Sequence, residues 1–184
     1  MEKSLLLLKT KRQRGFTLVE TLVAIGVLTV GLMSVAALMS QMVHTSSNSR
    51  YMSTAALLCS EKLEDLNHYS ARTPPASIAA GGSLAADVVG YFDDVQISTS
   101  NGVISETTTE GGVAQTISHL PDGTITVVAG GAAPANPNDV VFDRRWVIAG
   151  NTPVAGMRQI TVLVTMQNTA ASAPVTFQMS TVRP

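Results

Sequence analysis

The chain has 184 residues, only 14% of them charged, and a formal net charge of −1. That length accommodates one folded domain with an appendage rather than two full domains. The basic residues that open the chain (Lys3, Lys9, Lys11, Arg12 and Arg14, opposed only by Glu2) sit beside an apolar run. This arrangement excludes a nucleic-acid footprint and points to a membrane surface.

Glu20 is the last charge before Arg50, and residues 21–43 read TLVAIGVLTVGLMSVAALMSQMV. About 20 such residues cross the hydrocarbon of a bilayer as a helix. Short Lys- and Arg-rich flanks stay on the cytoplasmic side, so the N-terminus is expected inside and everything after about Gln41 outside. Gly15 lies between the charges and the apolar run. Leu5 to Leu8 are too few for the apolar core of a secretory signal, and no A-x-A-like site follows the long apolar segment. Ordinary signal-peptide removal is disfavoured, which leaves an uncleaved anchor open.

Gly15-Phe16-Thr17-Leu18-Val19-Glu20, followed by a long apolar helix, resembles the prepilin family. The resemblance covers about the first 30 residues. It implies that a dedicated peptidase cuts between Gly15 and Phe16 on the cytoplasmic side and then methylates the new amine, making Phe16 an N-methylphenylalanine. Glu20 takes the family's fifth mature position. Removing the leader's five basic residues and one acid leaves 7 Lys and Arg against 12 Asp and Glu, a net −5. Glycine lets a protease approach the backbone closely. A carboxylate within hydrocarbon is costly. Glu20 therefore either reaches interfacial water or pairs with the Phe16 amine of a neighbouring subunit, which would favour one axial register in a dry fibre core.

Met52, Ala56, Cys59, Leu63 and Leu66 continue a helical apolar stripe, with Glu61, Lys62, Glu64 and Asp65 on other faces. No Pro occurs before Pro74. One helix is expected from about Phe16 to about Tyr69, roughly 80 Å long at 1.5 Å per residue. His44 to Ser49 mark its exit from the bilayer, and Thr73-Pro74-Pro75 ends it. Gly26 and Gly31 are either ordinary transmembrane glycines or points of local unwinding. Residues 76–90 read as a connecting loop. Strands follow at about 91–99, 103–109, 113–119, 124–129, 140–149, 157–167 and 174–182. Asn101-Gly102, Gly111-Gly112 and Asp122-Gly123 are turn signals, and 129–139 is a Pro/Gly/Ala loop. Val140, Phe142, Arg144, Trp146 and Ile148 share one face. So do Ile160, Val162, Val164 and Met166, and likewise Val175, Phe177 and Met179.

The expected fold is α+β: a long N-terminal helix packed by its second half on an antiparallel β-sheet head. The divisions are a leader (1–15), a transmembrane and assembly helix (16–43), its amphipathic continuation (44–72) and a β-rich head (73–184). A looser resemblance lies in Arg144-Arg145-Trp146-Val147-Ile148 and Arg158-Gln159-Ile160-Thr161-Val162-Leu163-Val164. These segments are similar to minor pilins of the type IV pilus modification group and to a minor pseudopilin of type II secretion. Many major pilins carry a Pro where this chain has Ala37, and a C-terminal disulfide loop that a single Cys excludes. The resemblance thus implies a minor subunit that primes, caps or modifies a fibre. Its partners would be other pilin or pseudopilin subunits, the prepilin peptidase and an assembly platform in the bacterial inner membrane.

Chemistry is sparse. His44, His68 and His119 have no metal-ligand spacing. Cys59 serves either an intermolecular bridge or a small buried position on a helix face. Asp93-Asp94 and Asn136-x-Asn138-Asp139 offer oxygen donors for Ca²⁺ but match no defined calcium loop, and a solvated turn explains either. Trp146 with Arg144 and Arg145 forms either a contact patch or a core Trp on a strand with exposed or paired Arg neighbours. No catalytic fingerprint is present. No catalytic residue, metal or cofactor is expected, and a signal-anchored extracellular binding module is the competing class.

Overall fold

The computed structural model describes residues 15–68, 79–110, 113–132, 136–167 and 175–184. One helix, α1 (Leu18–His68), precedes eight strands: β1 (Gly81–Gly82), β2 (Phe92–Ile97), β3 (Ile104–Glu110), β4 (Val113–His119), β5 (Ile125–Ala129), β6 (Val140–Gly150), β7 (Arg158–Met166) and β8 (Thr176–Arg183). Two compact units divide between Ser46 and Ser47. The leader before Gly15, the Thr73-Pro74-Pro75 stop, the Gly111-Gly112 turn and parts of the 76–90 and 129–139 loops lie outside the described residues.

In the first unit, α1 is apolar all round, and every residue from Leu18 to Val43 is exposed. Its hydroxyls are satisfied locally. Thr21 donates to Leu18 O, Thr29 to Gly26 O and Ser34 to Val30 O, at 2.8–3.0 Å. These bonds let a polar side chain remain in an apolar surface without an unmet donor.

The second unit is α+β. All its strand pairs are antiparallel, in the order β5-β4-β3-β2-β6-β7-β8, with β1 also paired to β6. Each of the seven strands expected from alternation is present within two residues of its expected ends. Alternation on β6 buries Phe142, Arg144, Trp146 and Ile148 together. Ile160, Val162, Val164 and Met166 on β7 and Val175 beside β8 extend that face. The second half of α1 closes the core with Ala55, Leu58, Cys59, Leu63 and Leu66. Ala55 and Cys59 are fully buried, and the Cys59 thiol donates to Val162 O at 3.4 Å. Burial pushes this thiol's pKa up, which keeps it neutral and unreactive.

The buried stripe of α1 is rotated slightly from the expected one. Ala55 and Leu58 are buried, whereas Met52 is 41% exposed. Lys62 also departs from expectation, since it points toward the sheet. Its Nζ lies 2.8 Å from Asp93 and 4.4 Å from the centre of the Trp146 ring. The aliphatic stem packs on the core while the ammonium finds an anion and a π face.

β1 is a strand that alternation does not signal. Gly82 has φ +91°, and a Cβ there would lie 2.2 Å from Trp146 O and 2.8 Å from the Tyr91 ring. Only glycine lets the backbone lie this close. Tyr91 fixes the same corner by donating its hydroxyl to Ala79 O at 2.8 Å.

Candidate functional site

The segment that carries the expected processing residues is built around one helix cap. Gly15, Phe16 and Thr17 are not helical, and α1 begins at Leu18. Thr21 N donates to Thr17 O at 3.2 Å, the first bond of the helix. The Thr17 hydroxyl accepts from Glu20 N at 3.3 Å. Thr17 is therefore the N-cap, and Glu20 is the third helical residue, where an acid is favoured by the positive end of the helix dipole. Thr17-x-x-Glu20 is the sequence signature of a capping box, so this cap was readable before the structure.

Two consequences follow for the Gly15–Phe16 peptide. It lies outside the helix and one residue before the cap, on exposed backbone. A Cβ added at Gly15 would meet nothing within 4 Å. Among the described residues no packing requires glycine there. The same is true of Gly26 and Gly31, where an added Cβ also meets open space.

Beyond Glu20 the helix has the length and apolar character to cross a membrane. Phe16, Leu18 and Val19 are 70–79% exposed, and the larger side chains from Leu22 to Val43 are more than half exposed. An apolar surface this continuous needs lipid or other helices around it.

The other residues singled out by sequence have structural roles in the head. Asp93 does not offer free oxygens to a cation. It accepts two bonds from Arg144, at 2.6 and 3.0 Å, and also pairs with Lys62. Arg144 further donates to Glu106 at 3.0 Å. Burial alone would lower the Arg144 pKa. Attraction to Asp93, then to Glu106 and Glu61, more than reverses that and keeps the guanidinium charged. Arg145 lies on the opposite face and pairs with Asp87 at 2.6 Å and Asp143 at 3.2 Å. The contact-patch reading of Arg144, Arg145 and Trp146 therefore gives way to a core Trp with paired arginines. This four-member cluster of Lys62, Asp93, Glu106 and Arg144 went unrecognised in the sequence, although Arg144 stood inside an apolar alternation.

Asp139 is buried and accepts from Asn136 N at 3.0 Å, Gln96 Nε2 at 3.0 Å and Thr99 N at 3.2 Å. These bonds, with that from Asn136 first, hold its carboxyl below the usual range. The carboxylate thus ties the 136–139 segment to the end of β2. Among the described residues no cluster of three or more His, Cys, Asp or Glu could hold a metal. Asp94 and Asp143 are direct cross-strand neighbours on the face away from α1. Burial, then the hydrogen bond to Asp143 and its charge, with Asp87 and Asp93 behind, push the Asp94 carboxyl up to about 7.

Residues 10–36 match the family model described as the prokaryotic N-terminal methylation motif. The match contains Gly15, Phe16, Thr17, Glu20 and the apolar span as far as Ala36. No curated protein and no solved structure matches the chain.

Proposed function

We propose, from the premise that this is a type IV pilin-like chain, that it is a minor subunit processed by prepilin peptidase and then built into a type IV pilus, where it primes, caps or modifies the fibre. The observation that carries the reading is Gly15-Phe16-Thr17-Leu18-Val19-Glu20 set within the matched motif and running directly into an exposed apolar helix.

Cleavage falls between Gly15 and Phe16, and the new Phe16 amine receives a methyl group. The unwound backbone before Thr17 supports this, because a protease binds extended chain and a helix would have to melt first. The basic leader stays cytoplasmic, the span from Phe16 to about Val43 lies in the inner membrane, and the head faces outward. Entry into a fibre exchanges lipid around α1 for neighbouring helices, so the apolar surface stays out of water throughout. In that exchange Glu20 pairs with the Phe16 amine of an adjacent subunit. Catalysis is not part of the reading. The resemblance of β6 and β7 to a type II secretion minor pseudopilin supports the same subunit chemistry in a secretion fibre.

The test is intact-mass analysis of protein extracted from membranes with active prepilin peptidase. The expected chain begins at Phe16 and carries one added methyl. A mass that retains residues 1–15 overturns the reading and leaves a signal-anchored binding module.

A further inference from the structure

The head carries a half-open cavity of about 200 Å³ on the face of the sheet turned away from α1. Gln96 alternates with the buried Val95 on β2, so it lies on that outer face, and its direct cross-strand partner on β3 is Ser105. These two residues line the cavity from the sheet. The turn between β2 and β3 lines it with Ser98, Ser100, Asn101 and Val103, and the segment before β6 with Asn136 and Asp139.

The walls are held by their own bonds. Ser98 N donates to Val103 O at 2.9 Å, Gly102 N to Ser98 O at 3.1 Å and Val103 N to Asn101 Oδ1 at 3.1 Å, which closes the turn. Asp139 clamps the other wall through bonds from Asn136 N, Gln96 Nε2 and Thr99 N. The Thr99 hydroxyl donates to Asn138 O at 3.2 Å and ties the turn to that wall. Groups that are already ordered lose little conformational freedom when a ligand arrives.

The chemistry of the lining excludes most occupants. It holds no Lys, Arg or His, and its one ionised group is the Asp139 carboxylate, so an anionic ligand would meet a like charge without a counter-ion. A metal ion needs carboxylate oxygens, and both oxygens of Asp139 already accept N–H bonds. An apolar ligand would strip water from amides and hydroxyls and replace none of its bonds, because Val103 is the sole apolar side chain of the lining among the described residues. What stays open is a mixture of neutral donors and acceptors. Gln96 gives its amide to Asp139 and keeps Oε1, Asn101 accepts through Oδ1 and keeps its Nδ2 hydrogens, and Asn136 keeps Oδ1. Ser98 and Ser100 share one bond at 3.1 Å, which leaves one hydroxyl hydrogen to give. A ligand that answers such a set must donate and accept at neighbouring positions without charge, as vicinal hydroxyls do. The cavity is smaller than the about 300–1,000 Å³ of pockets for drug-sized ligands, which suits a single ring.

We propose that this cavity binds one neutral sugar ring, its hydroxyls bonded to the Asn101 amide and to the side-chain carbonyls of Gln96 and Asn136, with a C–H face against Val103. The lining has no aromatic platform for stacking, so binding is expected in the millimolar range. The inference stands on the head alone and holds whether or not the chain is cut at Gly15.

The experiment is saturation-transfer difference NMR on the full chain in a sugar-free amine-oxide detergent. The probes are D-glucose, D-galactose, D-mannose, N-acetyl-D-glucosamine and N-acetyl-D-galactosamine, each as the free sugar and as its methyl glycoside. At least one is expected to give a signal that drops about fivefold, the scale of one lost hydrogen bond, in Asn136→Ala, which keeps the backbone bond to Asp139. Ser100→Leu, which fills the exposed mouth of the cavity, should lower it as much. Thr126→Leu, on exposed β5, should leave it unchanged, and so should added phosphate or Ca²⁺. The thermal midpoint of Trp146 emission reports an intact head in each variant; if Asn136→Ala lowers that midpoint, Ser100→Leu decides. A glycoside that binds as well as its free sugar identifies a ring borne on a chain, and binding of the free sugar alone identifies a soluble monosaccharide. No signal from any of the five sugars, a signal that survives undiminished in Ser100→Leu, or displacement of the sugar by phosphate or Ca²⁺ would each overturn the proposal.

Discussion

Arg144 of β6 and Asp93 of β2 face each other across two strands in a two-pronged ion pair, and each side chain is only 1% exposed. Lys62 reaches the same carboxylate from α1. Two cations and two carboxylates (Arg144 and Lys62, Asp93 and Glu106) thus neutralise one another beneath the helix. Removing one partner of a buried pair leaves the other uncompensated, at a cost of about 3–5 kcal/mol. Arg144→Ala and Asp93→Ala should each destabilise the head by about that much in urea unfolding followed at Trp146. The double variant should lose far less than the sum. Additive losses would show that the two residues act separately.

Asp94 makes the head's stability fall as pH rises. Its folded pKa is about 7 against an ordinary 3.8, so the folded state holds the proton more tightly. The resulting stabilisation is complete below about pH 4 and lost as pH passes through 7. Asp94→Asn should flatten the dependence of Tm on pH between 4 and 8. At pH 8 it should stabilise by roughly 0.5–1 kcal/mol, the scale of like charges facing each other across strands in partial contact with water. A Tm that falls as steeply in the variant would remove Asp94 from this role.

Gly82→Ala tests the corner where β1 lies on β6. The added methyl meets a backbone carbonyl, which cannot swing aside, at a left-handed φ. A loss of about 1–3 kcal/mol is expected, with hydrogen exchange rising first around Tyr91 and Trp146. Gly90→Ala provides the comparison, because its Cβ meets open space at a similar φ. If both variants lose equally, backbone strain alone accounts for the loss.

Glu20→Ala separates anchoring from assembly. Removing a carboxylate from the first turn favours the apolar environment, so the amount in membranes should be unchanged. Its share of sheared fibres should drop several-fold, because the proposed charge partner for a neighbour's amine is gone. Equal incorporation of variant and wild-type chains would exclude Glu20 from subunit pairing.

Much of this architecture was legible because the head alternates cleanly and residues 21–49 contain no charge. Phe142, Arg144, Trp146 and Ile148 predicted both the strand and its buried face. The turns at Asn101-Gly102 and Asp122-Gly123 are closed as their residues suggested: Asn101 accepts from Val103 N and Asp122 from Thr124 N. Lys62 escaped because a charged residue beside an apolar stripe is assigned to water unless its partner is known. That partner, Asp93, lies 31 positions away on β2. Gly81 and Gly82 escaped because their pairing is set by what surrounds them, the Tyr91 ring and the Trp146 carbonyl, and not by any preference of their own. At the N-terminus the motif from Gly15 to Glu20 was plain. The cap by Thr17 was present in the same letters, and the structure supplied its donor.

Cys59 carries a last consequence. Its sulfur is sealed beneath α1, bonded to a carbonyl of β7, and is the chain's only thiol. The head consequently reaches its final shape without oxidative folding catalysts, and neither reductants nor a change of redox compartment should loosen it. Cohesion of the head rests on non-covalent packing and a charge clasp, so it needs no disulfide machinery to fold.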